Sequence, residues 1–347
     1  MTGTGTTGPM HGGLERAADR FGDHPALLAG DAAWSYRALD GLSNAFARHL
    51  ASAGVARGDR VAVMTSNRTE FVTAVHAISK LGAAAVLLSP AWKALEVDHA
   101  LALTSPRHAV ADGDAVALLA ARVPVTGLDD GTDHFAQSQA RTTFTEVRPG
   151  DEAVMVFSSG TTGLPKAVRH THASIGHATA HWVASLGLGP DDRFQVATPP
   201  SHILGLLNLL AAAQAGATVR LHRRFDLDEV LHRVESDRIT LEMAVAPIAL
   251  AMANHPRLEA FDLSSLRYIM WGATPVTASV AETVTARTGV RFLAAYGASE
   301  VPVLAANPVH EPDRWRLDSA GLPPVGVQLR VADLGTGEAL PPGETGE

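Results

Sequence analysis

From residue 60 onward, short runs of β-branched and apolar residues alternate with stretches whose apolar residues recur at helical spacing. This alternation restricts the chain to an α/β fold. Residues 60–65 read as a strand; Asn67 and Glu70 then have the spacing of a capping box, and Phe71, Val75 and Ile78 fall on one helical face. Gly82 ends that helix and 83–88 begins the next strand, completing a βαβ unit. The alternation continues through strands at 108–112, 123–128 and 153–157. A second series follows at 193–198, 218–222, 239–245, 266–271 and 291–296. The expected architecture is two successive α/β subdomains, 15–190 and 191–310. Residues 1–14 read as a disordered tail and 129–151 as a polar surface connection. From 311 to 347, short strands lie among Pro323, Pro324, Gly326, Pro341, Pro342 and Gly343, which reads as the start of a small β subdomain.

Composition narrows the chemistry. Apolar residues make up 46% of the 347 and charged residues 18%, as in ordinary globular proteins. The balance of 36 Asp and Glu against 28 Lys and Arg, without a run of like charge, argues against nucleic acid or an anionic membrane as the main partner. There is no cysteine, hence no disulfide and no thiolate metal site, which points to a cytoplasmic protein. The N-terminus has neither a basic start nor an apolar run, so no signal peptide is expected. The apolar stretches 203–215 and 243–253 are short and interrupted by Asn208, Gln214 and Pro247, and read as buried helices.

The tetrapeptide GTTG occurs twice, at 5–8 and 160–163. The first copy fits G-x-G-x-x-G through Gly3, Gly5 and Gly8, but no strand precedes it and Pro9 follows. The second follows the strand AVMVF and leads into an extended segment and a helix from Thr171. That order presents hydroxyls and backbone N–H groups toward one point, as a polyphosphate requires. It is not a Walker A loop, because Pro165 precedes Lys166 and Ala167 follows. Lys166 is one of three lysines in a chain that otherwise uses arginine. His177 and His181 have i, i+4 spacing but lack the Glu of H-E-x-x-H, and read as a polar helix face. No G-x-S-x-G nucleophile elbow occurs.

The stretch SSGTTGLPKAV resembles the phosphate loop of the adenylate-forming superfamily, which includes acyl-CoA synthetases and aryl-CoA ligases. Further motifs follow in that family's order: WSYRAL at 34–39, GDRV at 58–61, PPSHILG at 199–205, GATPV at 272–276 and YGASE at 296–300. The resemblance covers residues 15–347 and implies a five-layer αβαβα lobe followed by the start of a β-barrel.

It also implies an acyl-CoA ligase that uses Mg-ATP to form an acyl-adenylate and passes the acyl group to coenzyme A or a carrier-protein thiol. Under it, Ser158, Ser159, Gly160, Thr161, Thr162, Gly163 and Lys166 cradle the β and γ phosphates, and Glu300 binds magnesium. Tyr296 and Gly297 take adenine, Ser299 touches the α phosphate, and Gly272 and Ala273 line the site with backbone because a side chain would block the ligand. His202 sits at the acyl carboxylate, with Met243, Val245 and Ala246 as candidate pocket walls. Amino-acid adenylating members place an Asp near Ser201 and His202; its absence favours a non-amino acid.

Two departures stand out. Ala167 replaces the family's usual Gly, which predicts a narrowed phosphate path or a changed backbone angle. The family's ribose-binding Asp, hinge and C-terminal domain have no counterpart before Glu347, so the chain alone is expected to be inactive or impaired. The alternatives are a ligase that only thioesterifies a preformed adenylate and a non-catalytic adenylate- or ATP-binding protein.

Overall fold

The computed structural model describes residues 8–130, 133–135, 138–158, 163–272 and 278–347. The chain opens with helix α1 (Gly12–Phe21), a hairpin of β1 (Pro25–Ala29) and β2 (Ala32–Ser35), and helix α2 (Tyr36–Ser52). The first α/β series is β3 (Arg60–Met64), α3 (Thr69–Lys80), β4 (Ala84–Leu87), α4 (Ala94–Thr104), β5 (His108–Ala111), α5 (Asp114–Ala120), β6 (Val125–Gly127), β7 (Glu152–Ser158) and β8 (Lys166–Thr171). The second is α6 (His172–Leu186), β9 (Arg193–Val196), α7 (Ile203–Ala215), β10 (Thr218–Leu221), α8 (Leu227–Ser236), β11 (Leu241–Met243), α9 (Ala246–Ala253), β12 (Tyr268–Trp271), α10 (Ala278–Thr288), β13 (Phe292–Tyr296) and β14 (Ala305–Ala306).

Two sheets form, ordered β6-β5-β3-β4-β7-β8 and β14-β13-β12-β11-β9-β10-β1-β2. Both are parallel inside, with antiparallel strands only at β8, β2 and β14. Because side chains alternate along a strand, each sheet feeds two cores. Val61 and Val63 face the space between the sheets, where α1, α2, α3, α6 and α7 pack, while Ala62 and Met64 face α4 and α5. In the second sheet Tyr268 and Met270 face the shared middle layer, and Ile269 and Trp271 face α8, α9 and α10. The result is five layers: helices, sheet, helices, sheet, helices.

Several expectations change. Residues 8–14, assigned to a disordered tail, are packed: Met10 and Leu14 are buried in the middle layer, and the Met10 N–H donates to His172 Nδ1. Residues 25–35 fall within the expected first subdomain, yet β1 runs parallel to β10 in the second sheet, where its backbone completes the ladder. The Asn67 capping box does not form. Arg68 occupies the cap position without a side-chain capping bond, and Asn67 Nδ2 instead donates to the carbonyls of Thr198 and His222, linking the two sheets. Gly82 does end α3, in the left-handed region at φ 67°. Past Asn307, only the isolated bridges Ala306↔Leu322 and Ala332↔Ala339 occur, so no barrel closes among the described residues.

Candidate active site

In an open parallel sheet, ligands bind beyond the carboxyl ends of the strands, where neighbouring strands connect to opposite faces. β9 and β11 are neighbours of this kind: β9 leads into α7 in the middle layer, and β11 leads into α9 on the outer face. His202 follows β9, Gly272 follows β12 and Tyr296 closes β13, so all three stand at that end of the second sheet.

They converge on one cavity of about 200 Å³, lined also by Trp182, Ile203, Leu204, Leu207, Met270, Ala295, Gly297, Ala298, Ser299 and Pro302. His202 borders a second cavity of about 530 Å³ as well, whose walls include Ser158, Gly163, Pro165, Trp92, Pro199 and Ser201. This one imidazole lies between the space under the β7–β8 hairpin and the space at YGASE.

The hairpin is built by β7 and β8, which pair Ser158 with Lys166 and Phe157 with Ala167. Ser159, Gly160, Thr161 and Thr162 lie outside the described residues, as does Ala273. Gly163 adopts φ 94°, a conformation that favours glycine. The Pro165 carbonyl lies 2.9 Å from His99 Nε2, which fixes the returning leg to α4. Lys166 is exposed and borders a separate groove with Arg60, His99 and Arg169. Ala167 sits in the ladder with its methyl against the outer core, and its φ is not positive, so the expected effect on the backbone angle is absent.

The glycines of the site answer to backbone crowding. A Cβ on Gly272 would lie 2.8 Å from the Ala295 carbonyl, one on Gly297 would lie 2.0 Å from that of Pro302, and one on Gly205 would lie 2.4 Å from that of Pro199. Gly272 lines the cavity as expected, but the neighbouring strand is sufficient reason for it.

His202 caps α7: its Nδ1 accepts the Leu204 N–H at 3.3 Å. The proton of the neutral ring therefore resides on Nε2. Although solvent reaches the residue through the cavity mouth, desolvation by the protein around the ring lowers its pKa below the usual imidazole value. His202 is thus a neutral donor where the two cavities meet.

Tyr296 is 55% exposed, with a ring face open to a planar ligand. Glu300 is exposed and has no hydrogen bond or ion pair among the described residues. No group of three metal-ligating side chains occurs among them either. A lone free carboxylate suits magnesium, which keeps several waters and takes its other ligands from phosphate oxygens.

Met243 does not line the cavity; it is buried, and its sulfur accepts from Asn208 Nδ2 at 3.3 Å. Val245 packs on the outer core of the second sheet, and the side chain of Ala246 lies outside the described residues. The walls that sequence reasoning missed are Trp182, Leu204, Leu207, Met270 and Pro302. For Trp182 a signal existed: with Ile175, Ala178 and Leu186 it makes a buried stripe at helical spacing on α6. Its indole N–H donates to Asn208 Oδ1 at 2.8 Å, which explains the polar residue inside the apolar α7.

Fold and site together describe an α/β protein with one cavity at the carboxyl ends of its second sheet and another under the β7–β8 hairpin of its first. The chain belongs to the AMP-binding enzyme family, whose model matches residues 14–347. It is 34% identical to a feruloyl-CoA synthase of an Amycolatopsis species, over 93% of this chain and 65% of that enzyme. It is 32% identical to 4-coumarate–CoA ligase 3 of Oryza sativa subsp. japonica, over 94% of this chain and 63% of that one. The crystal structure of ATP-bound MatB from Rhodopseudomonas palustris superposes with a TM-score of 0.89 at 26% identity, covering 97% of this chain and 69% of that chain. The chain spans just under two thirds of the length of these two curated relatives.

Proposed function

We propose that this chain is the nucleotide- and acid-binding lobe of an ATP-dependent acyl-CoA ligase, which activates a non-amino carboxylic acid as its adenylate and transfers the acyl group to coenzyme A. The observation that carries this reading is the convergence of His202, Gly272, Tyr296 and Ser299 on one cavity, beside a second that opens under the phosphate hairpin. Leu204, Leu207, Met270 and Trp182 give the first cavity apolar walls beside its polar groups, and no carboxylate among its lining residues is available to pair a substrate ammonium. An aryl acid suits such walls, in keeping with the names of the two ligases above.

In this reading a carboxylate oxygen bonds to the α-phosphorus of ATP as the bond from that phosphorus to the bridging oxygen breaks, and pyrophosphate leaves with the electron pair. The acid is already ionised at neutral pH, so the site needs no general base. The protein's task is alignment and charge stabilisation. The Nε2–H of His202 holds the carboxylate, Tyr296 stacks on adenine and Ser299 donates to the α phosphate. Ser158, Gly163, Lys166 and the 159–162 segment hold the outer phosphates. Glu300 would hold magnesium, which would supply charge neutralisation for the phosphates. In the thiol step the sulfur bonds to the acyl carbon as the bond from that carbon to the phosphate oxygen breaks, AMP leaves with the electron pair, and the thiol proton passes to solvent.

The test is a thermal and calorimetric titration of the chain with Mg-ATP and, separately, with an aryl-sulfamoyl adenosine that mimics the adenylate. Ligand at about a hundred times its dissociation constant adds about 2.7 kcal/mol of stability. Stabilisation by both ligands is expected. Stabilisation by the analogue alone would favour the half-reaction ligase, and no response to either would sink the reading.

A further inference from the structure

We propose that His170 is a positioning residue for the magnesium-binding loop, an inference that rests on the roles given above to Ser299 and Glu300. His170 lies on β8, four residues beyond Lys166 on the strand that returns from the phosphate hairpin, and its side chain is buried. Its Nε2 lies 2.8 Å from the carbonyl oxygen of Ser299, across 129 residues of chain. A carbonyl only accepts, so Nε2 carries the proton and donates. Burial lowers the pKa of His170, against the opposing pull of the Ser299 hydrogen bond and the Glu300 carboxylate, so the ring acts as a neutral donor.

The 297–301 loop otherwise bonds within its own sheet. The Ala298 N–H donates to the Val301 carbonyl, the Leu304 N–H donates to that of Tyr296, and Gly297 is pressed against Pro302. Among the described residues, the His170 bond is the single hydrogen bond by which this loop reaches the first sheet. The hairpin that takes the outer phosphates belongs to the first sheet and Glu300 to a loop of the second. Magnesium would have to meet the phosphates held by the one and the carboxylate carried by the other at the same time. A fixed distance between the two loops therefore matters more for metal-bound nucleotide than for nucleotide alone.

The experiment measures ATP affinity with and without magnesium by calorimetry for the unsubstituted chain, His170→Leu, which removes the donor, and His170→Gln, which keeps an amide donor at similar reach. His170→Leu is expected to lose about 10-fold or more of the magnesium-dependent gain in ATP affinity, the scale seen when an outer-shell partner of a metal ligand is removed. Its magnesium-free ATP affinity should be nearly unchanged, and His170→Gln should recover most of the loss. If His170→Leu does not fold, His170→Asn, whose amide is too short to reach Ser299, takes its place. A full magnesium gain in the donor-less variant overturns the proposal, as does an equal loss with and without magnesium, the mark of a merely structural histidine. If the unsubstituted chain shows no magnesium-dependent gain, the roles of Ser299 and Glu300 fail and this inference falls with them. Binding of the adenylate analogue to that same chain would then leave the ligase reading in place.

Discussion

The two sheets hold their centres together by different means. From Val61 to Met64 and from Ala84 to Leu87 the first sheet is apolar and fully buried on both faces, as a covered parallel sheet requires. The second sheet sets Gln195, Arg220 and Glu242 into the middle of its outer face, under α8. Gln195 and Glu242 are tied to each other and, through His222, to the site, whereas Arg220 pairs with Asp237. Gln195 Nε2 donates to Glu242 Oε2 at 2.5 Å, His222 Nε2 donates to Gln195 Oε1 at 2.9 Å, and the His222 carbonyl accepts from Asn67, which also holds the Thr198 carbonyl. The first sheet is a scaffold from which a hairpin projects. The second accepts the cost of buried polarity and places the end of that network immediately before Pro199 and His202.

The contrast breaks or holds on how each sheet fails. The largest effect is expected at Arg220, whose side chain is 7% exposed, donates to Asp237 at 2.6 Å and to the Gly30 carbonyl at 2.8 Å, and so ties the β1–β2 turn to β10. Arg220→Ala leaves the partly buried Asp237 carboxylate unpaired and should cost about 4 kcal/mol in urea unfolding. In the first sheet, Met64→Ala removes packing without stranding a charge and should cost about 3 kcal/mol. A larger loss at Met64 than at Arg220 would break the comparison.

A smaller effect, specific to the second sheet, is a dependence on pH. Burial raises the Glu242 pKa from 4.5 to about 8, outweighing its hydrogen bonds from Gln195 and the Met243 backbone. Between those values the folded chain binds a proton that the unfolded chain has released, so this group makes stability fall as pH rises toward 8 and contributes no slope above it. Burial lowers the neighbouring His222 pKa to about 4, which gives the opposite slope, confined to pH 4–6.5. The Glu242 contribution is therefore best read between pH 6.5 and 7.5. There, Glu242→Gln should flatten the fall in stability by at most about 1.4 kcal/mol per pH unit relative to the unsubstituted chain. Parallel profiles for the two proteins would mean that Glu242 is already ionised in the fold.

Much of the fold was legible because strands and helices write local periodic signals. All ten strand runs read from the sequence appear, within about three residues at their ends. Asn67 is instructive in the opposite sense: its spacing to Glu70 fits a local cap, but two carbonyls in the second sheet needed a donor more, and tertiary demand overrode the local option. The β1–β2 hairpin carries no mark of the sheet it joins, since any unpaired strand edge offers the same row of N–H and C=O groups.

The sequence by itself determined the alternation of elements, the family, and the presence of a glycine-containing hairpin, a YGASE loop and a PPSHILG segment. These are properties of short stretches, where residue type and spacing dictate backbone conformation. Only the tertiary structure decided which of those stretches share a cavity, that Trp182 and Met270 wall it, that Met243 does not, and that His170 reaches Ser299. Such contacts join residues far apart in the chain, and they are chosen by the packing of two sheets around one layer of helices, a choice that no local spacing encodes.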